Sequence, residues 1–231
     1  MSAGYVFSPP PVASLPVRGT AQRFPVHRIY CVGRNYAAHA IEMGHDPHRE
    51  PPFFFLKSAD TLVPGGGEFP YPDASADVHY ELEMVVALAS GGRDIAVDDA
   101  LGHVYGYAVG LDMTRRDLQG EAKRLGRPWD VGKSFEHSAP CSEIVPMALV
   151  GHHPSEGGVW LRVNGELRQE GNLNQLIWKV PEIIAHLSGL FTLAPGDLVF
   201  TGTPAGVGAT VRGDRLHGGV EGVGELEVAV I

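Results

Sequence analysis

Apolar and polar positions divide this chain into many short runs punctuated by Gly, Pro, Asn and Asp, the spacing of a strand-rich protein. HRIYCVG (27–33) is a short apolar run and predicts a strand. NYAAHAIEMG (35–44) follows, with Asn35 as N-cap and Gly44 as the C′ residue, and predicts a short helix. DPHREPP (46–52) reads as a Pro-broken loop and FFFLK (53–57) as a strand. The turn-rich stretch 65–75 delivers the chain to HYELEMVVAL (79–88), a strand that opens polar and continues apolar. VYGYAVGLDMT (104–114) alternates as a strand ending on Asp112. TRRDLQGEAKRLG (114–126) is the clearest helix, with Thr114 as N-cap and Gly126 as its stop. VWLRVNGELRQEG (159–171) predicts a hairpin turning at Asn164-Gly165. VPEIIAHLSGLF (180–191) has proline near the start of an apolar-periodic helix. APGDLVFTGTPAGVG (194–208) reads as turn, strand and Gly-rich loop, and VEGVGELEVAVI (220–231) as a closing strand. Strands dominate and short helices sit on connections, so the expected class is α+β, mostly β.

Residues 1–27 are Pro-rich and lack helical periodicity, which predicts an N-terminal arm with short edge strands. The remainder, 28–231, shows no internal repeat or linker and is expected to form a single catalytic domain. Lys+Arg 18 against Asp+Glu 27 gives a net charge of −9, which argues against nucleic acid and anionic membranes as partners. An anionic substrate would then need a local cluster of cations or a metal. The two cysteines, Cys31 and Cys141, form no C-x-x-C pair and suggest a reducing compartment. No apolar run approaches the length of a membrane span and no early segment resembles a signal peptide, so a soluble cytoplasmic protein is expected.

In HYELE, Glu81 and Glu83 stand two residues apart in a strand and therefore share a face. Like charges so placed repel unless a cation lies between them. A solvated strand face is the commoner reading of an isolated E-x-E. Asp112, at the end of another apolar strand, supplies a third carboxylate, although a helix-entry cap is the commoner reading of such an aspartate taken alone. Three carboxylates suit a hard cation such as Mg²⁺ or Mn²⁺, whereas no Cys/His group has zinc spacing. His39 and Glu42, three apart on the 35–44 helix, suit general-base work on water, but such pairs are usually solvated surface contacts. HDPHRE beyond them reads as a lid or as a plain surface loop. Arg34, Arg115, Arg116 and Lys133 bring positive charge near these acids. Neutralising acidic neighbours is their simplest role, and the favoured one for Arg115. TGTPAGVG (201–208) offers backbone N–H groups and two threonine hydroxyls that could grip a carboxylate.

YCVGRNYAAHAIEMG, PFFFLK, HYELEMVVAL, YGYAVGLDMTRRDLQ, GRPWDVGKSF, VNGELRQEGN and LAPGDLVFTGTPAGVG, in this order, resemble the fumarylacetoacetate hydrolase family from about position 28 to the C-terminus. The resemblance implies a mixed β-roll-like fold, usually a homodimer, with one Mg²⁺ or Mn²⁺ per subunit. It implies Glu81, Glu83 and Asp112 as metal ligands and His39 with Glu42 as the water-activating pair. Arg116, Gln119, Lys133 and Thr203 match positions that contact substrate or polarise its carbonyls, Lys133 by holding a departing enolate. Lys57 is expected to face the site, and Arg34 is the candidate for a second substrate carboxylate. The implied reaction is hydrolysis of a C–C bond in a 2,4-diketo acid. Within the family the motifs are most similar to the acylpyruvate-cleaving branch, with fumarylpyruvate as the expected substrate. Oxaloacetate decarboxylation and isomerisation of a dicarboxylic dienol are the alternatives on the same site.

Overall fold

The structure is a computed structural model of the 231-residue chain and describes residues 4–37 and 50–231. The site is carried by a mixed eight-stranded sheet whose centre is the antiparallel pair Leu82–Leu88 and Val104–Leu111. Their register sets Leu82 opposite Leu111 and Glu83 opposite Gly110. Leu198–Phe200 runs antiparallel beside Leu82–Leu88 and parallel to Ile29–Gly33, which pairs in turn with Phe53–Lys57. On the other flank Ala139–Cys141 joins Val104–Leu111, and Leu62–Pro64 runs parallel to it.

Alternation assigns the two faces of this sheet to two cores. Leu82, Met84, Val86 and Leu88 enter the larger one, packing with a five-stranded sheet through Leu161 and Leu216 and with helix Val180–Leu190 through Ile184 and Leu187. Val85 and Ala87 face the second core, which Ile29, Cys31 and Phe200 share with Leu15, Val17, Phe24 and Val26 of the N-terminal segment. All seven residues of Leu82–Leu88 are buried, so apolar character runs through the strand instead of alternating. The N-terminal strands Ser14–Pro16 and Arg23–Pro25 pair with each other and cover the outer face. Cys31 and Cys141 are buried free thiols. No helix among the described residues is long and apolar enough to cross a membrane.

Three local readings change. The run 79–88 is two strands, Val78–Tyr80 and Leu82–Leu88, broken at Glu81. Val78–Tyr80 belongs to a separate three-stranded sheet with Thr114–Arg115 and Gly208–Thr210. Thr114 is not an N-cap, because helix Arg116–Leu125 starts after Arg115 and Thr114 pairs with His79. Asp117 braces that helix start, accepting from Leu118 N, Ala76 N and Ser75 Oγ. The C-terminal strand, Gly224–Val230, is the second half of a hairpin whose first half, Arg215–Val220, has no apolar run to announce it. Gly218 in that strand abuts Leu82, where a Cβ would come within 2.7 Å of the leucine's Cδ1. Asn164-Gly165 does form the predicted turn, with φ of 52° and 86°.

Asn35 also acts as a buried anchor. It is fully buried, donates from Nδ2 to Trp178 O (2.9 Å) and Thr201 O (2.8 Å), and accepts from Trp178 N at 2.7 Å. It thereby ties the end of Ile29–Gly33 to the start of the Gly-rich loop. Most of the helix expected over 35–44 lies outside the described residues. Asn35→Ala would remove all three hydrogen bonds and is expected to cost about 2–4 kcal/mol of stability. Urea unfolding followed by circular dichroism would register this as a lower midpoint at unchanged m-value.

Candidate functional site

Glu81, Glu83 and Asp112 converge below the end of the central strand pair. Each is at least nine-tenths buried, and their ligand oxygens all lie within 4.8 Å of one another. The backbone enforces this: Asp112 N donates to Glu81 O (2.8 Å), placing the third carboxylate beside the first two. Glu83 Oε2 accepts from Gly202 N at 2.6 Å. Position 202 has φ of +100°, and a Cβ there would sit 2.8 Å from Asn35 Cβ, so glycine is required. Burial pushes the Glu83 carboxyl well up, and the charges of Asp112 and Glu81 push it further. The Gly202 N–H of the loop expected to grip a ligand is thus used on the protein's own carboxylate.

Three cations brace the acids. Lys133, on the short helix Asp130–Lys133, donates from Nζ to Glu81 Oε2 (2.8 Å), Asp112 Oδ2 (2.7 Å) and Thr114 Oγ1 (2.7 Å). Burial alone would lower its pKa, but Asp112 and Glu81 outweigh burial and raise it, so the lysine is charged. Lys57 Nζ lies 2.8 Å from Asp112 Oδ1 and donates to the backbone carbonyls of Met113 and Lys133. Arg116 donates from Nη2 to Glu81 Oε1 (2.5 Å) and from Nη1 to Gln119 Oε1 (2.7 Å). An all-oxygen cluster of convergent buried carboxylates, one of them strongly destabilised as an anion, fits a hard divalent cation.

A pocket opens over the triad, and Arg34, Arg116, Gln119, Lys133 and Thr203 all line it. Thr203 has its hydroxyl engaged, donating to Leu82 O and accepting from Gln169 Nε2, both at 2.8 Å. Arg115 stacks on Phe135, with its guanidinium carbon 4.2 Å from the ring centroid. His39 and Glu42 lie outside the described residues. Two residues, one bonded to the pocket-lining Thr203 and one lining the pocket itself, have no counterpart in the sequence reading. Gln169 is fully buried and holds Leu82 N, Thr203 and Pro204 O together, although its setting in ELRQEG reads as an exposed hairpin strand. Lys123 lines the pocket on the helix that carries Arg116 and Gln119. The spacing i, i+3, i+7 puts the three on one face, a signal available in the sequence.

Glu83→Gln would keep an oxygen for Gly202 N–H and delete one of three mutually repelling charges. The metal-stripped variant is expected to be about 1–2 kcal/mol more stable than metal-stripped wild type, a melting temperature about 2–8 °C higher. The gain in melting temperature that millimolar Mn²⁺ or Mg²⁺ gives the wild type should vanish in the variant. Scanning calorimetry with and without EDTA measures both.

Comparison with known proteins agrees with this geometry. The family model of the fumarylacetoacetate (FAA) hydrolase C-terminal region matches residues 28–231. A fumarylpyruvate hydrolase of Ralstonia sp is 49% identical over 185 residues, 80% of this chain and 95% of that protein. The crystal structure of fumarylpyruvate hydrolase from Pseudomonas aeruginosa, in complex with Mn²⁺ and pyruvate, superposes with a TM-score of 0.96 at 53% identity, covering 99% of each chain. The mitochondrial oxaloacetate tautomerase FAHD1 of Rattus norvegicus is 42% identical over 202 residues, 87% of this chain and 90% of that protein. A family match over 28–231, with all three carboxylates inside it, means that the chain belongs to the fumarylacetoacetate hydrolase family.

Proposed function

We propose that this protein is a metal-dependent C–C hydrolase that cleaves fumarylpyruvate to fumarate and pyruvate, in gentisate-type aromatic degradation, as a cytoplasmic homodimer. The observation that carries the reading is the buried triad with the Lys133 ammonium set against two of its members. Glu81, Glu83 and Asp112 would hold one Mg²⁺ or Mn²⁺ per subunit, which supplies Lewis-acid chemistry when bound. Arg116 and Gln119 fix the diketo acid in the pocket. His39, oriented by Glu42, takes a proton from water, and the hydroxide forms a new C–O bond at the distal carbonyl carbon. The C–C bond then breaks with its electron pair leaving on the pyruvate fragment as an enolate. The charge of Lys133 offsets the enolate oxygen. The proton taken from water completes the pyruvate methyl group, and the new acid ionises to fumarate.

The relatedness to an oxaloacetate tautomerase supports a second reading, isomerisation of a dicarboxylic enol, with decarboxylation of oxaloacetate as a neighbouring chemistry. The assay follows loss of absorbance with fumarylpyruvate, maleylpyruvate, acetylpyruvate and oxaloacetate, with Mg²⁺, Mn²⁺ or EDTA. EDTA-sensitive loss fastest on fumarylpyruvate, with fumarate and pyruvate as products, is expected. A product of unchanged mass would move the reading to an isomerase. Release of CO₂ from oxaloacetate alone would move it to a decarboxylase. His39→Ala is expected to lower acylpyruvate hydrolysis by about 10²–10⁴-fold while leaving oxaloacetate decarboxylation largely intact, since that reaction needs no attacking water.

A further inference from the structure

Away from the triad the pocket wall has a different character. Phe53 and Trp129 meet edge to face, ring centroids 5.2 Å apart at 89°. Each ring carries a cation: the Arg34 guanidinium carbon lies 5.3 Å from the Phe53 centroid, and Lys123 Nζ lies 4.9 Å from the Trp129 centroid. Two aromatic faces thus bring two half-buried cations to one end of the pocket. Among the described residues neither cation makes an ion pair or hydrogen bond. The opposite charges acting on them are Glu50 for Arg34 and Glu81 for Lys123. This contrasts with Lys57, Lys133 and Arg116, each of which is paired to a triad carboxylate.

We propose that Lys123, with Arg34 beside it, is the specificity-determining residue of this site and takes the terminal carboxylate of a dicarboxylic substrate whose diketo-acid end lies over the triad. The proposal rests on the acylpyruvate reading above and adds to it which acyl arm the pocket selects. Dimensions agree. Seven residues along a helix separate Arg116 from Lys123 by about 10 Å. Helical side chains lean toward the N-terminus, which brings the Lys123 ammonium back toward the Gln119 turn. An extended seven-carbon diacid spans roughly 7–8 Å between its end carbons at ordinary bond lengths. Electrostatics agree too. Burial foremost, then Arg116, Arg34 and Lys133, lower the Lys123 pKa to about 8 against the pull of Glu81. A bound carboxylate relieves that crowding of positive charge.

The test uses the full-length Mn²⁺-loaded protein, its Lys123→Met and Lys123→Arg variants, and two readouts. In turnover, Lys123→Met should lose roughly 10- to 100-fold in kcat/KM on fumarylpyruvate, mainly through KM, the range for a charge-assisted hydrogen bond. Acetylpyruvate, whose arm ends in a methyl group, should change less than about twofold, and Lys123→Arg should restore most of the fumarylpyruvate loss. Equal losses on both substrates, or none on either, would overturn the proposal. In calorimetric titration, Lys123→Met should weaken fumarate by a similar factor and leave pyruvate unchanged. Wild-type affinity for fumarate should fall as pH rises above about 8, because the deprotonated amine no longer attracts a carboxylate; Lys123→Arg should show no such fall. Fumarate binding that ignores residue 123 would sink the subsite whatever the turnover shows. Lys123-dependent fumarate binding by a protein that hydrolyses neither acylpyruvate would keep the subsite and reject the hydrolase reading.

Discussion

Three buried carboxylates whose oxygens lie within 4.8 Å of one another are the constraint around which this structure is arranged. Burying unpaired carboxylates costs several kcal/mol each even after relaxation. The fold meets that cost locally with two buried lysines, a half-buried arginine and a backbone N–H from the Gly-rich loop. Each compensating group has its own structural requirement. Gly202 must be glycine to approach Glu83, and Asn35 must be buried to position Gly202. Lys133 needs the Asp130–Lys133 turn packed tightly on the preceding helix. A Cβ at Gly132 would lie 2.9 Å from Gln119 N, so the two helices approach more closely than side chains allow.

Much of this was legible in the sequence because it follows from strand parity. Glu83 shares a face with Val85 and Ala87, Glu81 directly precedes that strand, and Asp112 directly follows the neighbouring one, where its backbone N–H meets Glu81 O. Turn chemistry was equally readable at Asn164-Gly165 and at Gly126, which ends its helix in the left-handed conformation. What local pattern could not supply was competition between partners. Thr114 has the chemistry and position of a helix cap, but a buried ammonium claims its hydroxyl. Asn35 has the chemistry of a cap too, and it also bonds three backbone groups from distant segments.

Charge on a helix face was the harder case. Lys123 follows Arg116 and Gln119 at helical spacing, but a lysine in GEAKRLG reads as solvent-facing. Only the approach of Trp129, from the next connection, makes it a pocket residue. Gln169 was hidden for a related reason. Its strand is exposed along most of its length, and the one inward side chain carries a polar group that matches no apolar pattern.

The break at Glu81 has a mechanical corollary. Val78–Tyr80 and Thr114–Arg115 form a small sheet with Gly208–Thr210, while Leu82–Leu88 and Val104–Leu111 belong to the large one. Glu81 and Asp112 are therefore the residues at which both chains cross from one sheet to the other, joined there by Asp112 N to Glu81 O. The acids form the seam between two hydrogen-bonded bodies, and whatever neutralises them stitches that seam. Amide exchange in the small sheet would then track the charge state of the carboxylates, so that catalytic readiness and local unfolding share one free-energy scale.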